Sequence, residues 1–225
     1  MTDKKPSVVM FSGGIDSTAA LKRLLVETDK NIFAHHIHII SGEGGGKFYT
    51  AETAAVNQII PYMKKTYRDF NYSESTVDIK ELCSLIGYFP RLIKERIWDY
   101  HSYGTRQGYI WDLKLCAYMG SILANYIDAI EIYSGDRYDP AGVVENNLKG
   151  CDKISEGVWH PYKPVTLTPL NETKIECIQY LEKELLDMTW GCRQPQGEAW
   201  PYTICNECLT CTQINMAMKE LDNDI

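Results

Sequence analysis

No run of apolar residues in this sequence comes near the roughly 18 to 20 that a bilayer-spanning helix needs, and there is no basic excess, internal repeat or low-complexity linker. The first absence excludes a membrane-spanning helix. The short apolar stretch after Met1–Lys5 stops at Ser12, too soon for an export signal, so a soluble cytoplasmic protein with no membrane partner is expected. Lys and Arg number 23 against 30 Asp and Glu, a formal charge of −7. That balance argues against bulk nucleic-acid binding, which needs a basic footprint to displace counterions. Without a linker, residues 1–225 read as one domain, and 44% apolar residues supply its core.

Cysteine is what the chain has in quantity, at eight residues. Disulfides are disfavoured in a reducing compartment, which leaves burial or metal binding. Cys83, Cys116, Cys151 and Cys177 are scattered and read as buried structural residues. Cys192, Cys205, Cys208 and Cys211 crowd near the C-terminal end and read as a site.

Short apolar runs alternate with helical periodicity. Ser7–Phe11 reads as a strand and Asp16–Glu27 as a helix. Asn31–Ile40 follows as a second strand, then the glycine-rich Gly42–Gly46 and a helix from about Thr50 to Tyr67 that Pro61 should kink or split. A third strand is expected at Ser75–Ile79 and a fourth at Ala129–Tyr133, with helices near Pro90–Tyr103 and Ile110–Tyr126 between them. Pro161, Pro164 and Pro169 bracket an extended segment, and Asn171–Leu186 reads as one amphipathic helix. The order predicts an α/β fold with a mostly parallel sheet covered on both faces. Ligands bind such sheets beyond the carboxyl ends of the strands.

The first strand ends in Ser12-Gly13-Gly14 and opens directly into a helix. That geometry aims backbone N–H groups and the positive helix end at one point, where an anion belongs. Gly13 and Gly14 permit positive φ and close approach of the main chain to phosphate, and Ser12, Ser17 and Thr18 add hydroxyl donors. Asp16 either caps the helix or holds the Mg²⁺ that travels with the phosphates. His36 and His38, alternating on one face of the second strand, are read as ordinary polar positions.

Ser12-Gly13-Gly14-Ile15-Asp16-Ser17 resembles the PP-loop, SGGxDS, of the N-type ATP pyrophosphatases at every specified position. The resemblance implies a Rossmann-like parallel sheet and a loop formed by Phe11, Ser12, Gly13, Gly14, Ile15, Asp16, Ser17 and Thr18 that binds ATP. ATP would be split between its α and β phosphates, adenylating a substrate oxygen.

The late cysteines have the spacing C-x12-C-x2-C-x2-C, which suits a knuckle that closes four thiolates around one ion. Structural zinc is the expectation, in a segment over residues 188–215 packed on the main domain. A [4Fe–4S] cluster uses similar runs and stays open as the alternative.

With the PP-loop at one end and these cysteines at the other, the chain resembles the 7-cyano-7-deazaguanine synthases. Gly104-Thr105-Arg106-Gln107 before a long helix, Ser134–Gly142 after the fourth strand and Pro169–Lys174 at a helix start match landmarks of that family in order. The resemblance implies ATP- and Mg²⁺-dependent adenylation of 7-carboxy-7-deazaguanine and its conversion with ammonia to the nitrile. Lys174 would neutralise developing phosphate charge, Arg106 would pair with carboxylate or phosphate, and Gln107, Asp139 and Glu145 would join Arg106 in holding the substrate. Tyr103, Tyr109, Tyr138 and Trp111 are candidates to stack on a purine, although aromatics in helices more often serve the core. The chain departs from the family at Val143–Asn147, where Tyr-Pro-Asp-Cys-Arg is usual, at Gln107 in place of Asn, and at Ile214 in place of Arg. Transfer to another amine, arrest at the amide, or a tRNA-modifying PP-loop reaction are therefore the alternatives, and a homodimer is compatible with all of them. Asp16→Ala is expected to abolish ATP turnover with the fold intact, as for an exposed loop carboxylate.

Overall fold

The computed structural model describes residues 4–41, 45–78, 109–137, 166–170 and 172–223. Five strands form one sheet in the order β3-β2-β1-β4-β5: β1 Pro6–Met10, β2 Asn31–Ser41, β3 Asn71–Asp78, β4 Glu131–Arg137 and β5 Thr166–Leu170. Every strand pair is parallel. The direction of strand succession reverses between β1 and β4, so the crevice beyond their carboxyl ends is the natural ligand position.

β1 is central and its Val8 and Val9 are fully buried, which a strand covered on both faces requires. Val9 and Phe11 face α1 (Ile15–Glu27) and the middle of α2 (Gly45–Thr66), whereas Val8 and Met10 share a cluster with Ile132 and Ala124 of α3 (Tyr109–Tyr126). The alternating α/β pattern of the sequence is thus realised as a sheet with two covered faces. Among the described residues no helix is long and apolar enough to cross a membrane.

Three element boundaries differ from expectation for physical reasons. Pro61 does not split α2, which runs unbroken to Thr66. Its ring lies on the exposed side with Asn57, whose carbonyl loses its helical donor where solvent can replace it, while Ile59, Ile60 and Met63 anchor the buried side. The expected single helix over 171–186 is two, α4 (Lys174–Tyr180) and α5 (Lys183–Met188), joined through extended Leu181. Lys22 Nζ takes the Tyr180 carbonyl and pairs with Glu182 at 2.9 Å, which holds the chain in this break. Part of the glycine-rich 42–46 stretch is helical, because α2 starts at Gly45. Of the scattered cysteines, Cys177 is fully buried and Cys116 half-buried. Cys83, Cys151 and the helix expected at 90–103 lie outside the described residues.

His35 on β2 places Nδ1 2.7 Å from Ser73 Oγ and Nε2 3.1 Å from Ser75 Oγ of β3. Burial first, then the neighbouring His36, lowers its pKa from 6.5 to about 4. The neutral ring therefore stabilises the fold fully above pH 6.5, and that contribution disappears as pH falls toward 4. Urea unfolding should show about 3 kcal/mol of stability lost over this window through His35, and the loss should be absent from the pH profile of His35→Asn. Parallel pH profiles for the two proteins would refute the assignment.

Candidate functional site: a glycine-loop cleft walled by a cysteine clasp

The chain leaves β1 through Phe11, whose N–H donates to the His35 carbonyl at 2.8 Å, and turns into α1 over Ser12-Gly13-Gly14. Gly13 sits at φ +77°, and a Cβ there would lie 2.9 Å from Val56 Cγ2 and 3.2 Å from the Glu52 carbonyl, so both conformation and space demand glycine. Gly14 does not share this property: at φ −80° and ψ 165° it is extended and forms the N-cap of α1. Gly14 has no side chain with which to cap that helix end, and Asp16 lies in the first turn. Ser12 and Ser17 hydroxyls lie 3.1 Å apart on the loop. Thr18 is fully buried, its Oγ1 has no hydrogen-bond partner among the described residues, and it is not among the residues that line the cleft. On the other side of the crevice Gly135 of β4 presses on α1, where a Cβ would come within 2.7 Å of Ser17 N.

A cleft of about 340 Å³ opens in front of this loop. Ser12, Gly14, Ile15, Asp16 and Ser17 form one wall, with Phe11 beneath and Lys174 opposite. Thr173 and Glu176 form a reciprocal capping box that fixes the start of α4 and hence Lys174. Lys174 Nζ lies 2.6 Å from both carboxylate oxygens of Asp16. A cation at a helix N-terminus opposes the helix dipole, and Asp16 compensates it. Asp16 is therefore not the exposed loop carboxylate of the sequence reading; its side chain is 24% exposed and Lys174's 8%.

Sequence reasoning missed the histidine contacts that hold the loop from behind. His36 Nδ1 lies 2.9 Å from the Phe11 carbonyl and Nε2 3.0 Å from Thr53 Oγ1, while His38 Nδ1 reaches the same hydroxyl at 2.7 Å. A carbonyl only accepts, so His36 Nδ1 carries the proton. Burial lowers the His36 pKa and keeps the ring neutral, so Thr53 donates to Nε2 and accepts from His38. No signal in the sequence marks that chain, because Phe11, His36 and Thr53 meet only in the fold.

The clasp follows α5. Cys192, Cys205, Cys208 and Cys211 are all buried and their sulfurs lie within 4.8 Å of one another, an arrangement that could hold a metal ion. Backbone N–H groups converge on them: Cys205 N on Cys192 Sγ at 3.2 Å, Cys208 N on Cys205 Sγ at 3.2 Å and Arg193 N on Cys208 Sγ at 3.4 Å. Burial opposes ionisation of Cys205, but the amides of Glu207 and Cys208 and the neighbouring thiols outweigh it and bring this thiol to about 7. Burial pushes Cys192 and Cys211 upward. The clasp is not remote from the cleft. Trp190 N donates to the Gly13 carbonyl at 3.0 Å, its indole Nε1 donates to the Cys192 carbonyl at 3.0 Å, and Arg193, Thr210 and Ile214 line the cleft. Arg106, Gln107, Asp139 and Glu145 lie outside the described residues.

No protein-family profile matches the sequence, and no curated protein matches it. Among solved structures the chain is similar to the U34-tRNA thiolase NcsA from Methanococcus maripaludis with its [4Fe-4S] cluster, at 12% identity and TM-score 0.50 over 99% of this chain and 68% of that one. The NH3-dependent NAD synthetase from Campylobacter jejuni aligns over 99% of this chain and 76% of its own at 14% identity and TM-score 0.37. The likeness to the thiolase shows a shared α/β fold built on a parallel sheet.

Two outcomes follow from this geometry. Asp16→Ala removes the counter-charge of a buried lysine and should cost on the order of 2 kcal/mol in chemical unfolding, below the roughly 3–5 of a fully buried pair; Lys174→Met in the same background should recover most of it. Cys208→Ser should abolish metal binding by the clasp, read by elemental analysis against wild type, and lower Tm by about 5 °C or more. Retention of both metal and Tm would remove the clasp assignment.

Proposed function

We propose that this chain is an ATP-dependent enzyme that adenylates the carboxylate of 7-carboxy-7-deazaguanine and converts it with ammonia to 7-cyano-7-deazaguanine. The observation that carries the reading is a single cleft in which an uncapped helix N-terminus, the Asp16–Lys174 pair and the wall of a four-cysteine clasp meet. The α1 amides and dipole offer a seat for the polyphosphate. Asp16 would hold the Mg²⁺ that travels with ATP, which would supply charge stabilisation at the phosphates, and Lys174 would neutralise charge on the departing pyrophosphate. A substrate carboxylate oxygen attacks the α-phosphorus and pyrophosphate leaves; ammonia then displaces AMP to give the amide. A second ATP activates the amide oxygen, and loss of AMP and a proton gives the nitrile. Arg106, Gln107, Asp139 and Glu145 belong to this reading through the family resemblance.

The clasp suits structural zinc. Four thiolates on arms of about 2.3 Å around one tetrahedral ion stand about 3.8 Å apart, and Cys205 and Cys211 sulfurs are 3.9 Å apart. An iron–sulfur cube carries its thiolates on outer corners and spreads them further. Zinc bound here leaves no open coordination position, so it would order the clasp and take no part in bond making.

A variant in which the acyl group passes to another amine, or stops at the amide, is favoured by one feature: Ile214, apolar, lines the cleft. Purified protein with Mg–ATP, ammonia and the carboxy-deazaguanine, followed by mass spectrometry, separates the two. The nitrile supports the first reading, an amide or adenylate end product supports the variant, and no pyrophosphate release overturns both. A brown protein containing iron would instead turn attention to sulfur chemistry on tRNA. Lys174→Met should lower ATP–pyrophosphate exchange by about a hundredfold or more.

A further inference from the structure

Arg193 follows the first clasp cysteine, and the sequence gives it no motif. Its main chain belongs to the metal site: the Arg193 N–H donates to Cys208 Sγ at 3.4 Å. Its side chain belongs to the cleft, with the guanidinium carbon 4.4 Å from the ring centroid of Phe48 in the first turns of α2. Phe48 is buried and tilts against Tyr49 at 5.0 Å between centroids, so the platform under the guanidinium is fixed. A second tie holds the same strip of clasp, because Lys47 Nζ donates to the Gly197 carbonyl at 2.6 Å. Arg193 is thus anchored at its backbone by the clasp and at its face by an aromatic ring.

Charge distribution along the cleft gives this anchoring a purpose. At the loop end the described cation, Lys174, faces Asp16. On the α2 and clasp side the charged lining residues are Arg193 and Glu52. Stacking uses the face of a guanidinium, while its N–H donors lie in the plane, the geometry that matches the two oxygens of a carboxylate or phosphate. A half-buried arginine stacked in a cleft wall, partly removed from water, binds an oxyanion more strongly than a solvated one.

We propose that Arg193 binds an oxyanion of the cleft's ligand, either the acceptor's carboxylate or a phosphate of ATP, and that the cysteine clasp positions it to do so. The inference rests on the cleft being a nucleotide and carboxylate site. It adds a recognition residue that couples clasp integrity to ligand affinity.

Isothermal titration tests it with two probes, Mg–ATP and 7-carboxy-7-deazaguanine, on wild type, Arg193→Met and Arg193→Lys. Side-chain changes keep the N–H that faces Cys208, so metal content and Tm should stay at wild-type values. Kd for one probe should rise about ten- to hundredfold in Arg193→Met, the range of a charge-assisted hydrogen bond. Arg193→Lys should recover only part of it, because a point charge neither stacks nor forks. A rise confined to Mg–ATP identifies the phosphate as the source, and one confined to the deazaguanine identifies the carboxylate. Unchanged Kd for both probes in a metal-replete Arg193→Met overturns the proposal, as does an equal loss of metal and affinity, which would mark a structural arginine. Failure of wild type to bind either probe overturns the nucleotide reading itself and is thereby distinguished from failure at Arg193.

Discussion

The hydrogen bond from Trp190 N–H to the Gly13 carbonyl joins the two chemically distinctive parts of the chain. Gly13 can offer its carbonyl there because its φ of +77° turns the peptide toward the C-terminal segment, a conformation that side chains rarely adopt. Trp190 in turn packs against both faces' apolar clusters and against the cysteine group, and its indole N–H holds the Cys192 carbonyl. A metal ion that closes the thiolates would therefore fix the segment from which the glycine loop takes one of its restraints. Four buried thiols facing converging amides are poorly satisfied as neutral groups, and they become well satisfied as metal-bound thiolates.

His36 restrains the same loop from the opposite side through the Phe11 carbonyl, and Gly135, with no Cβ, lets β4 pack directly against the start of α1. Loop position is thus set by the sheet, by α2 through Thr53 and by the clasp, each through a different contact. Preorganisation of this kind matters because amides aimed at a developing charge are effective only if they need not reorganise. Asp16 and Lys174 supply the complementary electrostatics. The chain as a whole carries −7, yet this ion pair balances the charge at the loop end of the cleft.

The local parts of this arrangement were legible in the sequence, and the long-range parts were not. A strand, a glycine turn and a helix opening within a dozen residues report themselves through periodicity and turn chemistry, and so do cysteines spaced by two. The parallel sheet followed from alternation alone. The helix break at Leu181 depends on Lys22, which lies far away in the chain and captures the Tyr180 carbonyl. Pro61 is tolerated because of which side of α2 meets solvent, a property of packing. Asp16 reads as a loop carboxylate until Lys174 is brought beside it. Arg193 reads as nothing until Phe48 is beneath it.

Such pairings show how an acidic chain can gather cations in one cleft. A basic surface would raise encounter rates with every polyanion, nucleic acid included. Cations confined to one cleft, with Lys174 matched to Asp16 and Arg193 stacked on Phe48 and tied to the clasp, act only at contact distance. Beyond a Debye length of about 8 Å in physiological salt the net negative charge dominates what an approaching molecule meets. Selection then falls to ligands small enough to enter and to those whose charge is carried partly neutralised by a divalent ion.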